Sequence, residues 1–105
     1  MKTELKKLVP ELKKKYDKLH HIAIPVSDKE TAEFIAKEPS KAELTAMSSK
    51  ENTEDFNEMM FNVMIVAGDR KYIDDTPDFV PSVYLTLVQE LGKLYQPKEA
   101  SSTAL

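Results

Sequence analysis

Residues 19–37, LHHIAIPVSDKETAEFIAK, decide whether this chain contains a β-sheet or only helices. In 19–26 the apolar β-branched residues alternate with other residue types, which is the period of two of a half-buried strand. Pro25 has no N–H to donate to a neighbouring strand, so it indicates an edge strand or a strand end. The polar residues that follow form a turn, and a second short strand over 31–37 completes a β-hairpin.

The second half of this stretch also fits a helix. Residues 28–37 contain Ala, Glu and Lys, which favour helix over strand. The hairpin and the helix are therefore alternatives for these residues when only their intrinsic preferences are considered.

Three helices are predicted after the hairpin. The first begins at Ser40, whose side chain caps it, and Glu43 completes a capping box. The second covers 52–67, where apolar residues recur at i, i+3 and i+4, and Gly68 ends it in a left-handed conformation. The third covers about 80–95 and has one clean apolar stripe. The apolar faces of the last two helices predict a central core made of Phe56, Met60, Val63, Val83, Leu87 and Leu91.

These elements predict a single small α+β domain, a short N-terminal β-hairpin followed by three helices, over residues 16–96. A chain of 105 residues has a typical single-domain length. Residues 1–15 are a basic lead-in segment: either a helix starts near Pro10, because proline inside a helix costs about 3 kcal/mol, or the segment is frayed. Residues 97–105, PKEASSTAL, are small and polar, which is typical of a mobile C-terminal tail.

The composition argues against several classes of function. A net charge of −3, from 15 basic and 18 acidic residues, gives no basic field, so no nucleic-acid partner is expected. No apolar run reaches the roughly 20 residues of a membrane span, so no membrane partner is expected either. The absence of cysteine excludes disulfides, thiol catalysis and zinc–thiolate sites, and it fits a reducing compartment.

The residues that could carry chemistry do not form an enzyme site. His20 and His21 are adjacent on a predicted strand, so they point to opposite faces and do not share a metal ion. The acidic loop 69–79 lacks the ligand alternation, central glycine and closing glutamate of a calcium loop. The two glycines lie far apart, so there is no glycine-rich phosphate loop. We therefore expect no enzyme, with no catalytic residue, no metal site and no cofactor.

A partner-binding surface is predicted on helix 52–67, around Phe61, Met64 and Ile65. On a helical wheel that starts at Phe56, Phe61 and Ile65 lie at about 140° and 180°, opposite the core stripe. Met64 lies between the two groups. Either the hairpin or the N-terminal segment covers this second apolar face, or the face stays open. An open face would receive an amphipathic partner helix or a second copy of the chain.

From about Tyr16 to Tyr95, the order of features resembles the small phage tail assembly chaperones. A lysine-rich lead and a short hairpin are followed by KEPSKAELTAM, residues 37–47, in which Pro39 opens a short helix. DFNEMMFNVMIVAGD, residues 55–69, then gives an amphipathic helix that ends at Gly-Asp, before an acidic loop and a closing helix. The resemblance also favours the hairpin over the helix in the stretch quoted first.

The resemblance implies a non-enzymatic protein made by a phage in the cytoplasm of its host. Proteins of this family bind the tape measure protein and keep its helices soluble while tail subunits polymerise around it. The tape measure protein or another phage assembly protein is therefore the expected partner, alongside self-association. A structural virion component, such as a neck, tail or head-associated protein, is the alternative function, and a small regulatory binding protein is a third.

Overall fold

The computed structural model describes residues 1–105, which form four α-helices and a three-stranded antiparallel sheet. The helices are α1 (Thr3–Lys15), α2 (Lys41–Ser48), α3 (Thr53–Met64) and α4 (Pro81–Lys93). The strands are β1 (Leu19–Pro25), β2 (Thr31–Lys37) and β3 (Ile65–Gly68), and a short 3₁₀ turn covers Arg70–Tyr72. The predicted α+β class is confirmed. The predicted order of elements is corrected at two places, because a helix precedes the hairpin and a third strand completes the sheet.

β1 and β2 form the predicted hairpin, so the helical alternative for 28–37 is wrong. The two strands pair antiparallel, with Ile22 opposite Phe34. Both of these side chains belong to the main hydrophobic core. Ile35 is also buried, at 2% exposure, but it lies outside that core because neighbouring strand residues point to opposite faces. Both faces of β2 are therefore covered.

The end of the predicted helix 52–67 is a strand instead. α3 ends at Met64, and the residues that follow pair antiparallel with β2. Ile65 and Val66 are β-branched, which favours strand over helix. A bulge at Val66 interrupts the register between the two strands. The sheet thus gains a strand that connects α3 to the segment leading to α4.

Gly68 has a positive φ, but it lies in β3 and does not end a helix as predicted. Its φ is 139°, a conformation that residues with a side chain rarely adopt. A Cβ at this position would lie 2.5 Å from the carbonyl oxygen of Glu33 and 2.7 Å from the Cα of Phe34. The close approach of β3 to β2 therefore requires glycine here.

The main core lies between the sheet and the helices that follow it. Four of the predicted core residues are fully buried, at 0% exposure: Met60, Val83, Leu87 and Leu91. Phe56 and Val63 are only partly buried and pack at the margin of the core. The core prediction is therefore confirmed at its centre and too generous at its edge.

α2 and α4 begin where the sequence predicts. The Ser40 hydroxyl accepts from the Glu43 N–H at 3.1 Å, and the Glu43 carboxylate accepts from the Ser40 N–H at 2.9 Å. These are the two hydrogen bonds of a capping box. Pro81 occupies the first turn of α4, where its missing N–H costs no helical hydrogen bond.

α1 packs on the second face of the sheet and continues through Pro10, so the prediction of a helix start near Pro10 is wrong. The proline removes one helical hydrogen bond, but Pro10 and Lys6, whose carbonyl loses its donor, are both exposed to water. Leu5 is buried beneath the helix. The Glu33 carboxylate accepts from the Lys2 N–H at 3.1 Å and 3.2 Å, which holds the start of α1 on the sheet.

The predicted C-terminal tail, 97–105, forms no helix or strand, and all of its residues are exposed. Its mobility stays a prediction. None of the four helices has the length and apolar composition that a transmembrane segment needs.

Candidate protein-binding cleft

A cleft of about 300 Å³ opens between α3, the segment that follows β3, and the start of α4. It is lined by Glu54, Glu58, Phe61, Ile73, Asp74, Asp75, Phe79 and Tyr84. Phe61 and Ile73 are buried and form its floor, whereas Phe79 is exposed. The cleft therefore combines an apolar floor with a rim of carboxylates.

Three aromatic rings define the apolar part of the cleft. The Tyr84 ring lies 5.2 Å from Phe61, edge to face at 90°, and 5.8 Å from Phe79 at 66°, measured between ring centroids. Such edge-to-face pairs contribute about 0.5–1.5 kcal/mol beyond the burial of their area. Phe61 is 3% exposed and Phe79 is 41% exposed. Phe79 is thus supported by Tyr84 on one side and open to solvent on the other.

Local hydrogen bonds fix the segment that carries Phe79. The Phe79 N–H donates to the Thr76 carbonyl at 3.1 Å, and the Val80 N–H donates to the Tyr72 carbonyl at 2.9 Å. Tyr72 is itself buried, and its hydroxyl donates to the Glu30 carboxylate at 2.9 Å. This hydrogen bond raises the pKa of Tyr72, because it stabilises the neutral phenol. The segment is therefore anchored to the hairpin as well as to α4.

The rim of the cleft carries more negative than positive charge. Arg70 pairs with Asp74 through two nitrogens, at 3.1 Å and 3.3 Å. The other rim carboxylates, Glu54, Glu58 and Asp75, form no salt bridge within the chain. Glu54 and Glu58 lie one turn apart on α3, so they face the same side. A molecule that enters the cleft meets three uncompensated carboxylates beside exposed aromatic surface.

The residues of the predicted partner surface are brought together, but inside the core. Phe61, Met64 and Ile65 are 3%, 0% and 7% exposed. The prediction that they form an open surface is therefore wrong. Because α3 ends at Met64, the helical wheel does not apply to Ile65, which pairs opposite Ala36 in the sheet. Phe61 packs on Tyr84 instead, and of the three predicted residues it alone lines the cleft.

The exposed ring of the cleft was not predicted from the sequence, where Phe79 is the last residue of the acidic loop 69–79. One signal for this site exists in the sequence. Phe79 follows Asp74, Asp75 and Asp78 in a loop. A loop has no helix or strand periodicity that would place this large apolar side chain in the core.

The two histidines form hydrogen bonds with two different carboxylates. His20 Nε2 lies 3.2 Å from the Glu38 carboxylate, and His21 Nε2 lies 2.8 Å from the Glu33 carboxylate. The hydrogen bond with His20 lowers the pKa of Glu38. No three histidine, aspartate or glutamate side chains lie together in a way that could hold a metal ion.

Glu33 is a buried carboxylate, 7% exposed, on the face of the sheet that α1 covers. Burial alone would raise the pKa of Glu33, but hydrogen bonds from His21 and the Lys2 N–H, with the nearby N-terminal charge, lower it. The Glu33 N–H donates to Asp69 at 2.9 Å, and the Lys2 ammonium donates to the same carboxylate at 2.6 Å. This network joins α1 to β2 and to the residue that follows β3, so its role is to hold α1 in place.

The sequence matches no protein-family model, and no curated protein or solved structure is significantly similar to it.

Proposed function

We propose that this chain is a non-enzymatic tail assembly chaperone that binds the tape measure protein in the host cytoplasm. The aromatic cleft with its carboxylate rim is the proposed site, and it receives a basic, amphipathic segment of that partner. The order of sequence features from Tyr16 to Tyr95 supports the chaperone family. The shape and charge of the cleft support a protein ligand.

One observation carries the binding site: an exposed aromatic ring, Phe79, stands next to three carboxylates that have no partner in the chain. Protein interfaces obtain most of their energy from a few aromatic or arginine anchors that become fully buried. Phe79 already rests against Tyr84, so fixing it in a complex costs little conformational entropy. An apolar side chain of the partner would cover the open side of this ring.

The carboxylates select the charge of the ligand. A lysine or arginine on either side of the apolar anchor would pair with Glu54, Glu58 or Asp75. Each such exposed pair contributes only about 0–1 kcal/mol, so the apolar contact supplies most of the affinity. The charges orient the partner and increase the rate of encounter. A helix whose apolar stripe is covered in this way is shielded from water and from other tape measure chains.

Co-expression with the tape measure protein tests the site. Phe79→Ser should abolish co-purification while the domain stays folded, because this side chain is 41% exposed. Leu85→Ser is the matched control, since Leu85 is 62% exposed on α4 and lies outside the cleft. The control should bind as the wild type does. Melting curves of both variants confirm that the fold is intact.

A second variant tests the charge of the rim. Glu54→Gln/Glu58→Gln should weaken binding at low salt and make binding less sensitive to added salt, because exposed charge pairs are screened. Wild-type binding by Phe79→Ser would show that the cleft is not the site. A wild-type chain that ignores the tape measure protein but is retained in purified virions would support a structural virion component instead.

A further inference from the structure

The outer edge of β1 is free. The sheet order is β1-β2-β3, so β1 pairs on one side only. In an antiparallel pair, residues alternate between those that hydrogen-bond their neighbour strand and those that point their backbone groups away. The Val26 N–H donates to the Glu30 carbonyl at 2.9 Å, which continues the register of the hairpin and sets this alternation.

The alternation fixes which backbone groups of β1 face outward. Because Val26 bonds toward the hairpin, every second residue before it does so too, and the residues between them face away from β2. The outward N–H and carbonyl groups therefore belong to Leu19, His21, Ala23 and Pro25, except that Pro25 has no N–H. The partner strand agrees, since Glu33, opposite Ala23, directs its N–H and carbonyl to Asp69 on the far side, both at 2.9 Å. No backbone group of a loop, turn or tail of this protein hydrogen-bonds the outward groups.

The outer edge also lacks the usual protection against pairing. Edge strands are commonly blocked by charged side chains, bulges or proline. In a chain of which 31% is charged, β1 (LHHIAIP) has no lysine, arginine, aspartate or glutamate. Its one blocking residue is Pro25, at the very end of the strand. His21 and Ala23 are exposed, so another strand can approach the middle of the edge.

The free groups of this edge are self-complementary. If a second copy of β1 lies antiparallel with His21 opposite His21, then Leu19 of each copy lies opposite Ala23 of the other. All three pairs are then hydrogen-bonded pairs, which exchange two bonds each, or about six in total. Pro25 lies beyond the paired stretch and removes none of them. Each His21 keeps its hydrogen bond with Glu33 of its own chain, at 2.8 Å, in this arrangement.

We propose that two copies of this chain associate through the free edges of β1, centred on His21, to form one continuous six-stranded antiparallel sheet. This inference does not depend on the proposed function, because the cleft residues take no part in the pairing. Each copy would therefore offer its own cleft to a partner.

The first test removes one outward donor without touching the hairpin. Ala23→Pro deletes the Ala23 N–H, which faces away from β2, whereas Ala23→Val keeps it and is the matched control. Wild type and Ala23→Val should have twice the 11.9 kDa mass of one chain in light scattering, and Ala23→Pro should have the mass of one chain. Far-UV circular dichroism and melting show whether the proline variant is folded.

The second test does not depend on the proline variant. The chain has no cysteine, so His21→Cys introduces a single thiol. Directly opposite residues of a hydrogen-bonded pair lie about 5.5 Å apart between Cα atoms, within disulfide range. Mild oxidation should therefore convert His21→Cys to a covalent dimer much faster than Leu85→Cys, a control with an exposed thiol on α4. A wild type that stays monomeric at its highest soluble concentration, or equal cross-linking of the two cysteine variants, would overturn the proposal.

Discussion

Replacing Phe61 by alanine should lower the stability of the domain far more than the same change at Phe79, although both rings line one cleft and pack on Tyr84. The difference follows from burial. Phe61 is 3% exposed and Phe79 is 41% exposed. Comparing the two variants therefore distinguishes a side chain that stabilises the fold from one that is exposed and available to a partner.

The expected sizes follow from this burial. A fully buried Phe→Ala change costs about 3–5 kcal/mol, which includes the cavity that remains. Burying a whole phenylalanine side chain is worth about 1.5–3 kcal/mol, so the partly buried Phe79 should lose roughly 1–2 kcal/mol. Each ring also gives up an edge contact with Tyr84. Because total stability is about 5–15 kcal/mol, only Phe61→Ala threatens folding.

Urea unfolding of both variants and the wild type measures these losses. A domain of this size shifts its Tm by about 4–8 °C for each kcal/mol, so melting gives an independent check. Equal losses for Phe61→Ala and Phe79→Ala would refute the reasoning, because they would mean that the two rings are equally buried.

Two further predictions concern the sheet. Gly68→Ala should destabilise the domain, because its Cβ would lie 2.5 Å from the Glu33 carbonyl oxygen. Gly92→Ala should instead stabilise α4 by about 0.5–1 kcal/mol, because a Cβ there would meet nothing within 4 Å. Urea midpoints that move in the same direction for both variants would contradict this prediction. The pKa of Glu33 is lowered in the fold from 4.5, so its stabilisation is present above that pH and is lost as pH falls through the lower folded pKa. The stability difference between wild type and Glu33→Gln should therefore shrink as the pH falls from neutral to below 4.5, and a constant difference would count against the network.

Local signals predicted the elements that depend on local chemistry. The first strand of the hairpin has apolar residues at a period of two, whereas residues 28–37 fit helix and strand alike by local preference. The Ser40–Glu43 capping box sets the start of α2. The apolar stripe of α4 is long enough to define both the helix and its buried face. These features need only the chain within a few residues of themselves.

The elements that depend on distant contacts were not predictable in this way. The apolar run up to Ala67 fits a helix as well as a strand, and pairing with β2 decides that residues after Met64 become β3. Likewise, Pro10 argues against a helix through the lead-in segment. The contact that holds α1, from Glu33 to the Lys2 N–H, joins residues on separate elements. Long-range contacts therefore decided both places. They selected strand after Met64, where the sequence allowed either structure, and they overrode the preference against helix at Pro10.

The burial of the residues predicted to form a partner surface has a more general cause. Helix periodicity identifies side chains that have somewhere to pack, and a helix that is apolar on most sides is covered on most sides. Phe61 and Met64 obey this rule, since both are buried in the main core. An apolar side chain can stay exposed only where hydrogen bonds, and not packing of that side chain in the core, fix its backbone. The segment around Phe79 meets this condition, because bonds from Phe79 to Thr76 and from Val80 to Tyr72 fix it while the ring stays exposed. Large apolar residues in charged connecting segments can therefore stay exposed where the second faces of helices are covered.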